Sequence, residues 1–133
     1  MTPNKEDYLK EIYKMNGENQ VISNKQIAQR LGIKPASVTE MINKLKTEDY
    51  VSYEPYKGIK LTEKGVKKAS FLLRSHRLWE VFLKDYLKYE ESKIHDVAEE
   101  LEHVTPQDLL EKLDEYLNYP EHCPHGSVIP KKR

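Results

Sequence analysis

His95, Glu99, Glu102 and His103 fall within the short segment HDVAEELEHV, and together they have the chemistry to hold a divalent cation. With His95 set at 0° and roughly 100° per residue, Glu99 falls at ~40°, Glu102 at ~340° and His103 at ~80°. Val97, Ala98, Leu101 and Val104 fall between about 180° and 300°. One helix thus carries an apolar face and a separate face with two imidazoles and two carboxylates. A solvated polar face is the plain reading of such a stripe, and a metal site is the sharper one.

Other residues of the same chemistry occur elsewhere. His76 and Glu80 stand at i, i+4, on one face of a long helical segment. Asp7 lies near the N-terminus, and Cys123 and His125 lie in EHCPHG. Carboxylate and imidazole together suit first-row divalent ions. A structural zinc site wants several closely spaced cysteines, and Cys123 is the only one. No His-Glu-x-x-His segment and no Gly-rich phosphate loop is present, and the serines have no catalytic setting. The residues support no enzyme.

The elements that must position these groups are legible from pattern. Hydrophobic residues are 38% and charged residues 33% of 133, which reads as a charge-rich, mainly helical protein with room for one or two small domains. No apolar run approaches a membrane span, the N-terminus is no signal peptide, and the lone cysteine fits a reducing cytoplasm. The net charge of zero hides an asymmetry. Residues 1–70 hold 13 Lys/Arg against 9 Asp/Glu, and residues 71–133 hold 9 against 13. A basic half can face a polyanion, and an acidic half can hold cations.

Residues 4–15 show a helical stripe of Tyr8, Leu9, Ile12 and Tyr13. Ser23 and Gln26 form a capping-box pattern ahead of Ile27, Ala28 and Leu31, and Gly32 ends that helix. Pro35 suits the start of the next, in which Val38, Met41, Ile42 and Leu45 recur at i, i+3, i+4, i+7. Two short helices around a tight turn, the second opening with small polar residues, form a helix-turn-helix pattern whose second helix fits a major groove. YVSYEPYKGIKLT then reads as a two-stranded basic wing turning through Pro55 to Gly58. Thr62 caps a helix over roughly 63–88 that is apolar on more than one side, with Leu87 among its apolar residues. A helix over about 92–103 follows. Thr105 as N-cap and Pro106 at the first helical position start the last one.

Taken together, the stretches NKEDYL, HRLWEVFL, IHDVAEELEHV and CPHGSVIP, with the winged helix between, make the whole chain resemble the diphtheria toxin repressor family of metal-dependent bacterial transcription regulators. Within that family the likeness is to the manganese transport regulators. The resemblance implies a mainly α fold: a winged helix-turn-helix DNA-binding domain over 1–70, then a helical metal-binding and dimerisation domain over 71–133, without the C-terminal SH3-like domain of many members. It implies a first metal site of Asp7, Glu99, Glu102 and His103, with Cys123 as a further ligand. His76, Glu80 and His95 form the second site. Asp7 and Glu99 are hard oxygen donors, which favours Mn2+, with Fe2+ and Zn2+ as alternatives. Short manganese regulators carry Glu three residues after the aspartate; here that residue is Lys10, which points to two separated sites. Lys34, Ala36, Ser37 and Glu40 match the base-reading region, Pro35 between them counts among the DNA-binding residues, and Thr39, Lys44, Lys57 and Lys60 are the expected phosphate contacts.

The expected protein is therefore a cytoplasmic homodimeric repressor of metal-uptake genes, bound to a palindromic duplex operator when metal fixes the dimer. The rival readings are an iron-dependent regulator of the same family, a metal-independent winged-helix regulator, and a metal-binding enzyme or storage protein with an incidental helix-turn-helix.

Overall fold

The computed structural model describes residues 1–54 and 56–133; Pro55, expected in the wing turn, lies outside the described residues. The chain divides into two compact units, Met1–Ala69 and Ser70–Arg133.

The first unit contains α1 (Pro3–Lys14), α2 (Asn24–Leu31), α3 (Pro35–Thr47), β1 (Val51–Glu54) and β2 (Gly58–Leu61). The local signals act as the sequence reading expects. Ser23 and Gln26 make both hydrogen bonds of the capping box, and Gly32 closes α2 in the left-handed conformation, at φ 66°. Pro35 occupies the first turn of α3. β1 and β2 pair antiparallel, Val51 opposite Leu61 and Glu54 opposite Gly58. Ile22 adds a short bridge to Ile59. Val51, Ile59 and Leu61 point inward while Ser52 and Lys60 face solvent, the period of two that a half-buried ribbon requires. These strands close a core built from Leu9, Ile12, Ile27, Val38, Ile42 and Leu45.

The fourth helix, α4 (Glu63–Val81), begins in the first unit and continues into the second. Thr62 starts it: its hydroxyl accepts from the Gly65 N–H at 3.0 Å and donates to the Asp49 carbonyl at 2.7 Å. Gly65 is required there, because a Cβ would lie 2.0 Å from the Tyr50 carbonyl oxygen. Backbone cannot retreat as a flexible side chain can, so Gly65→Ala is expected to lower stability by about 2 kcal/mol. Urea denaturation of both proteins measures it, and an unchanged midpoint would show that the strand-to-helix junction yields.

α4 does not run regularly to residue 88. After Val81 the backbone widens into a π-helical turn, Phe82–Tyr86, whose closing bond runs from the Leu87 N–H to the Phe82 carbonyl at 3.2 Å. The extra residue in this turn stacks Phe82 on Tyr86 at 5.8 Å and leaves Leu87 exposed rather than on an apolar face. α5 (Glu91–Glu102) and α6 (Gln107–Tyr116) follow. Pro106 is the N-cap residue of α6, not its first helical residue. The Thr105 hydroxyl does not cap that helix. It donates to the Leu101 carbonyl at 2.5 Å and accepts from the Trp79 indole at 2.9 Å. Two apolar clusters hold the second unit: Leu78, Val81, Leu110, Leu113, Leu117 and Ile129, and Leu83, Ile94 and Ala98. Arg74 and Asp114, an ion pair at 2.7 Å, tie α4 to α6.

Candidate metal centres and nucleic-acid interface

In the first unit, Val38, Ile42 and Leu45 bury the inner stripe of α3 and turn its opposite face outward. Lys34, Pro35, Ala36, Ser37, Thr39, Glu40 and Lys44 are all exposed on that side. The Thr39 hydroxyl accepts from the Asn24 side chain at 2.8 Å and donates to the Pro35 carbonyl at 3.2 Å, so it braces α2 against the start of α3. Lys57 and Lys60 are exposed on the wing. Asp7 stands half-exposed on α1, its carboxylate 4.0 Å from the ammonium of Lys10, which is itself buried.

The second unit gathers the imidazoles and carboxylates of α4 and α5. The packing of Ile94 and Ala98 against Leu83 fixes the polar face of α5 toward α4. His76 is buried between carboxylates. Its Nδ1 lies 2.6 Å from Glu102, which is buried as well, and 3.8 Å from Glu99; its Nε2 lies 3.5 Å from Glu80. The His95 ring stands edge-on to it at 4.9 Å, and His95 Nε2 is 3.6 Å from Glu99. His103 Nε2 is 3.9 Å from Glu102. His76, Glu80 and His95 each offer a ligand atom within 4.8 Å of the others, and so do Glu99, Glu102 and His103.

Charge balance follows from this burial. Desolvation pushes the His76 pKa down, but hydrogen bonds to Glu102 and Glu80 outweigh it, and the net pKa is raised. Desolvation pushes Glu80 up, but the His76 hydrogen bond and the charges of His76, His125 and His95 leave it lowered. The site is thus built for positive charge among carboxylates. With Nδ1–H donating to Glu102, His76 presents Nε2 toward Glu80, the arrangement by which a carboxylate orients a metal-binding imidazole. Glu102 therefore touches both groups of candidate ligands, although they were separate sets by resemblance.

Cys123 is placed differently from expectation. The structure brings it to Glu80 and His125, all within 4.8 Å, rather than to Glu99, Glu102 and His103. The turn CPHG does this: the Gly126 N–H bonds the Cys123 carbonyl and the Cys123 N–H bonds that of Ser127, both at 2.9 Å. His125 Nδ1 is 3.3 Å from Glu80, and its Nε2 is 2.6 Å from Glu91. Glu91, absent from the expected set, thus orients His125 and is paired with Lys84 at 3.3 Å. No helical period marks a turn or a helix N-terminus as a partner of the other, so the sequence held no signal for this contact.

The donors fit a divalent ion: buried carboxylate oxygens, imidazole nitrogens held by second carboxylates, and one thiol, with several groups of matching reach. Comparison with known proteins agrees with this chemistry. Residues 1–59 match the N-terminal DNA-binding domain of the iron-dependent repressors. Residues 62–131 match the metal-binding and dimerisation domain of the same repressors. The transcriptional regulator MntR of Bacillus pumilus is 35% identical over 127 residues, 96% of this chain and 88% of that protein. The manganese regulator SloR is 50% identical, with a TM-score of 0.81 over 98% of this chain and 61% of that one. ScaR with bound Zn2+ is 45% identical, with a TM-score of 0.81 over 96% and 60%. The chain thus spans about 60% of the length of these solved regulators.

Proposed function

The chain belongs to the iron-dependent repressor family, whose members are transcriptional regulators rather than enzymes, and from that premise we propose that it is a metal-activated, DNA-binding repressor of metal-uptake genes, with Mn2+ as its activating ion. The observation that carries this is the pairing of two carboxylate–imidazole clusters with an outward-facing reader helix in one chain.

By the resemblance, Asp7 would join Glu99, Glu102 and His103 in holding one ion. His76, Glu80 and His95 would hold a second ion, with Cys123 and His125 joining through Glu80. A divalent ion held there would supply positive charge that neutralises the carboxylates. Without it, three carboxylates in one site repel one another, and the reader is left without a fixed position. Metal and DNA affinities are then coupled reciprocally. Lys34, Pro35, Ala36, Ser37 and Glu40 face base edges, while Lys44, Lys57, Lys60 and the exposed edge of Thr39 face phosphate. The protein works in the cytoplasm, where its operator lies; none of the described helices is long and apolar enough to cross a membrane.

The oxygen-rich donor set favours Mn2+, while the thiol of Cys123 is the donor that would draw Fe2+ or Zn2+. A gel shift on duplexes selected from a random pool, run with Mn2+, Fe2+ or Zn2+ at buffered free concentrations, decides among them. Activation by Mn2+ at lower occupancy than Zn2+ is expected; equal shifts with chelator and with every metal would remove the metal from the function.

The regulator acts as a homodimer on a palindromic operator, since two reader helices about 34 Å apart must enter successive grooves. Tyr86, Leu87 and Tyr116 are among the exposed large apolar side chains of the second unit, with the Tyr86 and Tyr116 rings 5.3 Å apart. Sedimentation at micromolar concentration should give a dimer, and Leu87→Glu should shift it toward monomer. A wild-type monomer with metal and DNA present would contradict the two-half-site geometry.

A further inference from the structure

We propose that Tyr56, at the tip of the wing, is a DNA contact in its own right, its ring laid against the sugar edges beside the groove while Lys57 and Lys60 engage phosphate. The inference rests on the DNA-binding reading above and adds a residue that neither motif nor charge singled out.

Two observations carry it. Tyr56 has a relative exposure of 106%, so its ring touches nothing that would hold it in the fold. Its backbone is also in the wrong conformation for its type. The Lys57 N–H bonds the Glu54 carbonyl at 3.0 Å, so Tyr56 stands in a turn, and its φ is 66°. A turn with positive φ at that position takes glycine or asparagine, and a bulky L-residue is strained there. Local physics thus opposes tyrosine, and burial does nothing to offset the strain. Strain retained at an exposed position points to a function outside the folded chain.

The chemistry of the surroundings selects the partner. Lys57 follows directly, paired at 3.6 Å with Glu54 in an exposed and therefore weak ion pair, and Lys60 is exposed on the same hairpin. A flat ring with a phenolic tip, flanked by ammonium groups, matches a surface of apolar sugar edges bordered by phosphate oxygens, and tyrosine is among the side chains that bond that backbone. The reader helix leaves room for such a contribution. Its exposed residues Ala36 and Ser37 are small, and the Thr39 hydroxyl is already committed twice.

The test compares wild type with Tyr56→Asn and Tyr56→Phe, each full-length, with Mn2+, on a duplex selected by the wild-type protein. Asparagine relieves the backbone and removes the ring. It should raise Tm by about 4 °C and weaken DNA binding by about fivefold or more. The slope of log affinity against log salt should stay unchanged, because no charge is lost; Lys57→Gln should lower that slope by about one. Phenylalanine keeps the ring and should lose less affinity than asparagine, at the wild-type Tm. Asparagine binding DNA as tightly as wild type would overturn the inference. So would a fall in Tm, which would make the ring structural. A wild-type protein that binds no duplex in Mn2+ would instead overturn the DNA-binding reading, and this inference with it.

Discussion

Glu102→Gln is expected to leave the protein folded and to raise the Mn2+ midpoint for DNA binding by at least about tenfold, or ~1.4 kcal/mol. Glu102 is 1% exposed, and its carboxylate lies 2.6 Å from His76 Nδ1 and 3.9 Å from His103. Glutamine has nearly the same volume and helix propensity, and its amide oxygen can still accept the His76 N–H, so the packing of α5 survives. Two things are lost together. The neutral amide is a poorer ligand for a first-row divalent ion than a carboxylate. The charge that orients His76 and helps raise its pKa also disappears, so the second cluster weakens with the first. Burying the new amide N–H pair costs about 1 kcal/mol of fold stability where a partner is missing. Circular dichroism and urea denaturation separate that cost from metal loss. A folded mutant with an unchanged Mn2+ midpoint would reduce the polar face of α5 to ordinary buried polarity.

Asp7→Asn has the second large effect, and it differs in kind. DNA affinity in saturating Mn2+ should fall to that of the metal-free protein, while Mn2+ still binds at His76, Glu80 and His95. The reason is where the residue stands. Asp7 is on α1 of the unit that carries the reader, whereas the other proposed ligands are on α4, α5 and the segment after α6. Losing it should cut the link between metal occupancy and reader position without emptying the second unit of ions. Asparagine is isosteric, so α1 keeps its buried face of Tyr8, Leu9 and Ile12. Calorimetry should show one metal equivalent fewer per chain. His76→Ala serves as the contrast and should retain part of the activation. If His76→Ala abolished Mn2+-dependent DNA binding and Asp7→Asn left it intact, the roles of the two sites would be reversed.

Much of this architecture is readable in the sequence because it is encoded locally. The Ser23–Gln26 capping box, Gly32 at φ 66° and Pro35 in the first turn of α3 each act within a few residues, and together they set the helix-turn-helix. The ligand face of α5 is legible for the same reason, since a wheel needs only the helical period. The wheel does not reveal that Glu102 on that face is buried, because its partner His76 lies 26 residues away on another helix. The Cys123–His125 turn and its approach to Glu80 and Glu91 are likewise tertiary facts. A thiol in a loop has no period, and resemblance alone placed it with other neighbours. Thr105 shows the competition in miniature. Its type suits a cap, but the Trp79 indole and the Leu101 carbonyl claim its hydroxyl first. The π-helical turn at Phe82–Tyr86 has no local signature, and stacking of Phe82 on Tyr86 accompanies it.

The most direct test follows fluorescence anisotropy of a labelled duplex, selected by the wild-type protein, as Mn2+ is titrated at fixed protein concentration and then removed with chelator. Metal-coupled binding predicts little DNA bound without metal, affinity that rises at least about a hundredfold as both clusters fill, and full reversal on chelation. Equal DNA affinity in Mn2+ and in chelator, with the protein folded in both, would contradict it.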